Sequence, residues 1–197
     1  MMTEKSKMTA QGKVPWASAN KTANLLIERI KPFCERVEIA GSIRREVPWV
    51  RDIEIVAIPK PAVNLFGEKD YNPREIYAAL EGDVLNPPTM EEDVLNPPTM
   101  DKKGEFYARF KFFGIYVDLF MTTPEKWGCI FMIRTGSADF TKKMVKQKVW
   151  GGYCPDHLYF KAGRLWDGEE ALDTPEEDDI FRELGMAYVK PENRNLK

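Results

Sequence analysis

The sequence predicts a mixed α+β fold in which strands and helices alternate first, helices follow, and a small β-rich part closes the chain. Three observations carry this. Residues 52–58, DIEIVAI, alternate with the period of two of a β-strand. Ala19, Ala23, Leu26, Ile27 and Ile30 recur close to helical spacing. Thr123-Pro124-Glu125 and Thr174-Pro175-Glu176-Glu177 both carry the chemistry of a helix start.

The elements follow in order. Residues 1–14 read as a frayed tail, and residues 15–35 as a helix. Residues 36–40 (RVEIA) form a short strand that Gly41-Ser42 turns out of. Ser42 is expected to cap a short helix over 43–47, which Pro48 stops. Residues 51–59 are the next strand and 75–80 a short helix. Residues 81–90, EGDVLNPPTM, are then repeated as EEDVLNPPTM over 91–100. Pro-Pro in each copy excludes a continuous helix or central strand, so the repeat reads as a duplicated, extended surface loop. Residues 105–113 and 115–121 are strands about a turn at Gly114. One helix runs from Thr123 to Gly136 and another over 137–150, closed by Gly151-Gly152. A hairpin turns at Ala162-Gly163, and a last helix runs from the Thr174 capping box to Gly185.

Composition narrows the function. The 197 residues are 43% apolar and 30% charged with net charge −2, enough for one domain or two small ones. Any nucleic-acid contact must come from a local patch. No apolar run approaches the roughly 18 residues of a membrane span, and the N-terminal residues are polar rather than signal-like. Cys34, Cys129 and Cys154 lie far apart, which points to free thiols in a reducing, cytoplasmic setting. His157 is the only histidine. A serine–histidine triad and a multi-histidine metal site are thereby disfavoured, and catalysis falls to carboxylates. His157 itself reads as a strand-surface residue, and Trp127, Phe131, Phe140, Phe33, Ile30 and Cys129 as core.

The stretch GSIRREVPWVRDIEIV, 41–56, holds paired cations ahead of paired anions. On the strand, Asp52, Glu54, Val56 and Ile58 share one face, and Ile53, Ile55 and Ala57 the other. One face is wholly apolar; the other begins with two acids and runs into a core. Asp118, set among aliphatic and aromatic neighbours in IYVDLFM, is an expensive charge unless something positive compensates it. Three carboxylates on adjacent strands can hold two divalent ions for in-line phosphoryl displacement. Gly41 allows close backbone approach, the helix start after it offers amides to phosphate, and Arg44 and Arg45 add forked donors.

Gly41-Ser42-Ile43-Arg44-Arg45, Asp52-Ile53-Glu54, Val117-Asp118-Leu119, Arg134-Thr135-Gly136-Ser137 and the C-terminal DTPEEDDIFRELGMAYVKPENR together resemble the family X, polymerase beta-like nucleotidyltransferases. The resemblance runs from about residue 20 to the end. It implies a nucleotidyltransferase palm over 15–124, a small sheet flanked by helices with the 81–100 loop as an insertion. A helix-plus-hairpin, thumb-like, nucleotide-selecting subdomain would follow over 125–197. Asp52, Glu54 and Asp118 would be catalytic and bind two Mg2+ ions, with Mn2+ as a substitute. Gly41, Ser42, Arg45, Arg51, Ile133, Arg134, Gly136 and Ser137 would bind the nucleoside triphosphate. Lys142, Lys143 and Lys146 would meet a nucleic-acid backbone, Lys142 and Lys146 from one helix face.

The implied activity is a minimal, monomeric DNA polymerase without lyase or helix-hairpin-helix domains, acting on primer/template or gapped DNA. The chain departs from the family in several places. Glu54 replaces a common aspartate, Arg51 a common glycine, and Ile133-Arg134 an aromatic pair that crowds the ribose. Thr141 and Val145 stand where base-pair-reading groups are usual. A template-independent nucleotidyltransferase acting on an RNA end, a protein or a small molecule is one competing reading. A non-catalytic nucleic-acid-binding module is the other.

Overall fold

The computed structural model describes residues 12–63, 66–82 and 98–195. The bulk of the 81–100 repeat, residues 83–97, lies outside them. Strand β1 (Cys34–Ile39) is antiparallel to β2 (Asp52–Pro59). β3 (Thr99–Lys103), β4 (Tyr107–Phe112) and β5 (Ile115–Met121) complete a five-stranded sheet of order β1-β2-β5-β4-β3. β2 and β5 are parallel; the other pairs are antiparallel. Thr99 and Met100, the last residues of the repeat, therefore belong to an edge strand rather than a loop.

The two faces of β2 meet different partners, as its alternation requires. Ile53, Ile55 and Ala57 join Ala108, Phe110, Val117 and Leu119 in the main core beneath α1 (Trp16–Ile30) and α3 (Arg74–Glu81). Val56 and Ile58 pack on the other face against Trp127 and Phe131 of α4 (Trp127–Thr135). A further core gathers Cys129, Met132, Phe140, Met144, Leu158, Leu165, Ile180 and Phe181 around α4, α5 (Ala138–Val145), the β6–β7 hairpin (Leu158–Lys161 and Arg164–Asp167) and α6 (Glu177–Glu183). Phe33 lies half-buried on the main core, the three cysteines are buried, and His157 is an exposed turn residue just before β6.

Both expected hairpins form with two left-handed residues at the turn. Phe113 and Gly114 have φ of 49° and 77°, Ala162 and Gly163 of 51° and 78°. Such turns match the twist of the strands they join.

Four local expectations are corrected. Val14 is no frayed tail: Val14–Pro15 pairs with Trp49–Val50, and Val14 is buried. The one-turn helix α2 spans Gly41–Arg44, starting two residues early. Ala40, not Ser42, occupies its cap, and left-handed Glu46 ends it before Pro48. α5 stops at Val145 because Lys146 is extended and the chain returns beside it. Cys154 N–H donates to Lys146 O at 3.0 Å, Lys148 N–H to Cys154 O at 2.7 Å, and a Cβ on Gly152 would strike Lys146. Lys146 thus does not share a helix face with Lys142. Finally, the capping box of α6 is Glu176 with Asp179, two residues beyond Thr174.

Candidate active site

The register across β2, β5 and β4 arranges one sheet face in rows. Asp52, Tyr116 and Lys111 form the first row; Glu54, Asp118 and Arg109 the second; Val56, Phe120 and Tyr107 the third. Rows two residues apart lie roughly 7 Å from one another. The three candidate carboxylates therefore share a face, Glu54 directly beside Asp118 and Asp52 one row away. A cleft of about 550 Å³ opens on them, lined by Glu54, Asp118, Tyr107, Phe120, Ile130 and Arg134 among others.

Crowding marks the electrostatics. Burial and the neighbouring Asp52 charge push the Glu54 carboxyl up to about 7, against the pull of Arg45. Burial and Asp118 likewise raise Asp52, against Arg109 and Arg51. Asp118, 8% exposed, has its compensating charge: Arg109 Nη1 donates to Oδ1 and Oδ2 at 2.9 Å each, and the Tyr107 hydroxyl to Oδ1 at 2.6 Å. Burial, and then that bond to Asp118, raise the Tyr107 phenol.

Three carboxylates suit a hard divalent cation, and their mutual repulsion is what such an ion would relieve. The donor set fits in kind. Among the described residues, however, no three acids, histidines or cysteines already close around a metal position, and Asp118 is turned to Arg109 and Tyr107.

α2 closes one end of the site. Gly41, at φ +60°, packs against Glu54 so closely that a Cβ would collide with Oε2 and lie 2.6 Å from Cδ. A helix start leaves the first amides, Gly41 to Ile43, without intrahelical partners. The Ser42 hydroxyl and Arg134 Nε are buried without a hydrogen-bond partner among the described residues. These are donors suited to phosphate oxygens.

The two arginines of α2 diverge. Arg45 donates to Thr135 O at 2.7 Å and Asn195 Oδ1 at 2.8 Å while its charge acts on Glu54. Arg44 turns inward: its two Nη atoms reach the Glu177 oxygens at 2.8 and 2.9 Å, and Nη1 also bonds Thr135 Oγ1. Arg194, fully buried, donates to the same Glu177 oxygen, and the Tyr188 hydroxyl to the other.

The turn after α4 joins this end. Ser137 caps α5 by accepting from Phe140 N–H at 3.3 Å, and its own N–H donates to Arg194 O. A Cβ at Gly136 would crowd Thr141 Oγ1 and Phe140. Arg134 lies 3.8 Å over the Phe120 ring at the cleft wall.

The structure thus gathers Asp52, Glu54, Asp118, Gly41, Ser42, Arg45 and Arg134 around one site, with Gly136 and Ser137 joined to its α2 end through Thr135 and Arg194. Others stand apart. Ile133 packs against the C-terminal core, and Ile130 faces the cleft in its stead. Arg51 lines a second cleft with Arg109, Lys111 and Tyr116. Lys142, Lys143 and Lys146 are exposed outside both linings, Lys142 paired with Asp139. Sequence reasoning missed Tyr107 and Arg109. The signal was present: a turn at 113–114 sets Arg109 opposite Asp118.

No protein-family model and no curated protein matches the chain. Among solved structures it is similar to Leishmania infantum polymerase beta in a ternary gap complex, with a TM-score of 0.69 and 16% identity over 93% of this chain and 71% of that one. The ternary P/T complex of the same polymerase gives a TM-score of 0.66 and 17% identity over 93% and 77%. Among the described residues no helix is long and apolar enough to cross a membrane. The helix-flanked sheet, its parallel β2–β5 pair and the order of elements form a polymerase beta-like nucleotidyltransferase fold.

Proposed function

We propose that this chain is a nucleotidyltransferase that joins nucleotides to a nucleic-acid 3′-hydroxyl, a DNA polymerase of the family X type. One observation carries the reading: Glu54 and Asp118 stand side by side across parallel strands, with Asp52 one row away, beside a helix start that admits only glycine. The polymerase beta-like fold supports it.

In this reading Asp52, Glu54 and Asp118 hold two Mg2+ ions, replaceable by Mn2+. Bound ions would stabilise the attacking and leaving oxygens of an in-line displacement. Gly41, Ser42 and Arg45 hold the triphosphate, while Arg134, Gly136 and Ser137 bound the rest of the nucleotide. The 3′-oxygen attacks the α-phosphorus, the bond to the β-phosphate oxygen breaks, and pyrophosphate leaves. Asp118, next to the acceptor, takes the hydroxyl proton.

The acceptor is a primer/template or a gapped duplex, and the chain acts as a monomer. The test is extension of a labelled primer on gapped, primed and single-stranded DNA with each nucleotide, in Mg2+ or Mn2+. Template-directed addition is expected. Untemplated addition would replace this reading with a template-independent transferase. No addition under any condition, with the fold intact, would leave a binding module.

A further inference from the structure

Arg109 stands between two clefts. On one side its Nη1 holds both oxygens of Asp118. On the other it lines, with Arg51, Lys111 and Tyr116, a cleft of about 330 Å³. The charged side chains lining this second cleft are three cations, with no carboxylate among them. The Arg109 guanidinium carbon and Lys111 Nζ lie 4.6 and 4.7 Å from the centre of the Tyr116 ring. Arg51 and Lys111 are exposed, and neither forms an ion pair among the described residues. Arg109 is already paired with Asp118, and the Asp52 charge acts on Arg51 and Arg109, but no carboxylate lines the cleft itself, so an anion entering it meets cations first. The Lys111–Tyr116 row is about 7 Å from the row of Asp118.

Resting on the nucleotidyltransferase reading above, we propose that this second cleft takes a phosphodiester of the acceptor strand, and that the phosphate draws Arg109 away from Asp118. The metal ligand is thereby released only when an acceptor is in place. The chemistry balances as an exchange of ion pairs: Arg109 leaves a carboxylate for a phosphate, and the freed carboxylate passes to a divalent cation. A strand fits better than a lone anion. Arg109 and Lys111 two residues apart on β4, with Arg51 just ahead of β2, suit successive phosphates of one chain whose end lies next to Asp118. The two ligands are then linked, and each must tighten the other by the same factor.

The experiment measures Mn2+ binding to the intact chain by the electron paramagnetic resonance of free Mn2+. It is run alone, with inorganic phosphate, and with a single-stranded oligodeoxynucleotide ending in a 3′-dideoxynucleotide, so that no turnover intervenes. The oligonucleotide is expected to tighten Mn2+ on the order of 10-fold, and Mn2+ to tighten the oligonucleotide equally. Arg109→Gln should bind Mn2+ more tightly than the parent without oligonucleotide, and gain nothing further from it. Tyr107→Phe, which removes a single hydrogen bond to Asp118, should raise Mn2+ affinity by a smaller factor and serves if Arg109→Gln folds poorly. Lys111→Gln should weaken the oligonucleotide.

Equal Mn2+ affinity with and without saturating oligonucleotide overturns the coupling; equal tightening by inorganic phosphate overturns the acceptor strand as its ligand. A chain that binds no Mn2+, or binds it as well after Asp118→Asn, overturns the carboxylate site itself and the coupling with it.

Discussion

Gly41 and Glu54 touch so closely that a single methyl group cannot come between them. The helix start and the strand acid are thereby fixed against each other. Gly41→Ala must both displace the Glu54 carboxylate and hold alanine at φ +60°, a left-handed conformation that disfavours a side chain by roughly 1–2 kcal/mol. The variant is expected to lose about that stability and, under the proposed function, at least 100-fold in single-turnover rate. A variant with near-parental turnover would show that Glu54 need not stay where it is.

Glu54 also makes stability depend on pH in an unusual sense. Its carboxyl titrates at about 7 in the fold, against an ordinary value of 4.5. Between those values the folded chain keeps a proton that the unfolded chain has lost. Cation-free protein should therefore lose stability as pH rises from about 4.5 to 7, with the full penalty above 7. Glu54→Gln removes the penalty. It should raise the thermal midpoint in chelator at pH 8, by the equivalent of about 1–3 kcal/mol once screening is allowed for, and change little at pH 4.5. A lower midpoint at pH 8 would contradict the crowding argument.

Arg44 and Arg45 should separate in a urea titration. Burial tends to raise the Glu177 carboxyl, but hydrogen bonds from Arg44 and Arg194, with their charges, outweigh it and hold it below its ordinary value. Arg44→Ala leaves Glu177, 4% exposed, with half its compensation, at about 3–5 kcal/mol. Arg45→Ala loses two half-exposed hydrogen bonds, about 1–2 kcal/mol, yet should raise the nucleotide KM more. The reverse ranking in either measurement would exchange their roles.

Binding to DNA should respond weakly to salt. With net charge −2, the cations that the proposed acceptor cleft gathers are Arg51, Arg109 and Lys111, so about 2–4 phosphate contacts are expected. The logarithm of affinity should then fall against that of salt with a slope of about −1.5 to −3.5. A slope matching eight contacts would require a basic surface beyond these residues.

What the sequence made legible was periodic or local. The alternation of Asp52 to Ile58 told both faces of β2 correctly, Ile53, Ile55 and Ala57 on the wholly apolar one and Val56 and Ile58 running into a core behind the two acids. The turn at Phe113-Gly114 fixed a register from which Arg109 follows by counting. What stayed hidden depended on partners far along the chain. Nothing near Glu177 distinguishes a first-turn acid from one buried between Arg44 and Arg194, and the local pattern makes it part of a capping box. The lysine run past Val145 looked helical because its residues favour helices, but the return of Cys154 to the Lys146 backbone overrides propensity. Ser42 reads as a cap because serine favours that position; here its hydroxyl is buried without a hydrogen-bond partner among the described residues.

The parallel pairing of β2 with β5 has a consequence for the order of assembly. Hairpins such as those at Gly114 and Gly163 join residues a few positions apart and can close soon after collapse begins. Glu54 and Asp118 meet only when a long crossover brings the two strands together, and non-local pairings of this kind dominate folding time. Because β2 and β5 both line the main core, that core and the row of acids close in one late step, after the hairpin turns. Relief of the repulsion among the acids should then show in refolding kinetics: Mn2+ added to the refolding chain is expected to quicken the phase in which the acids are brought together, and to leave hairpin closure untouched.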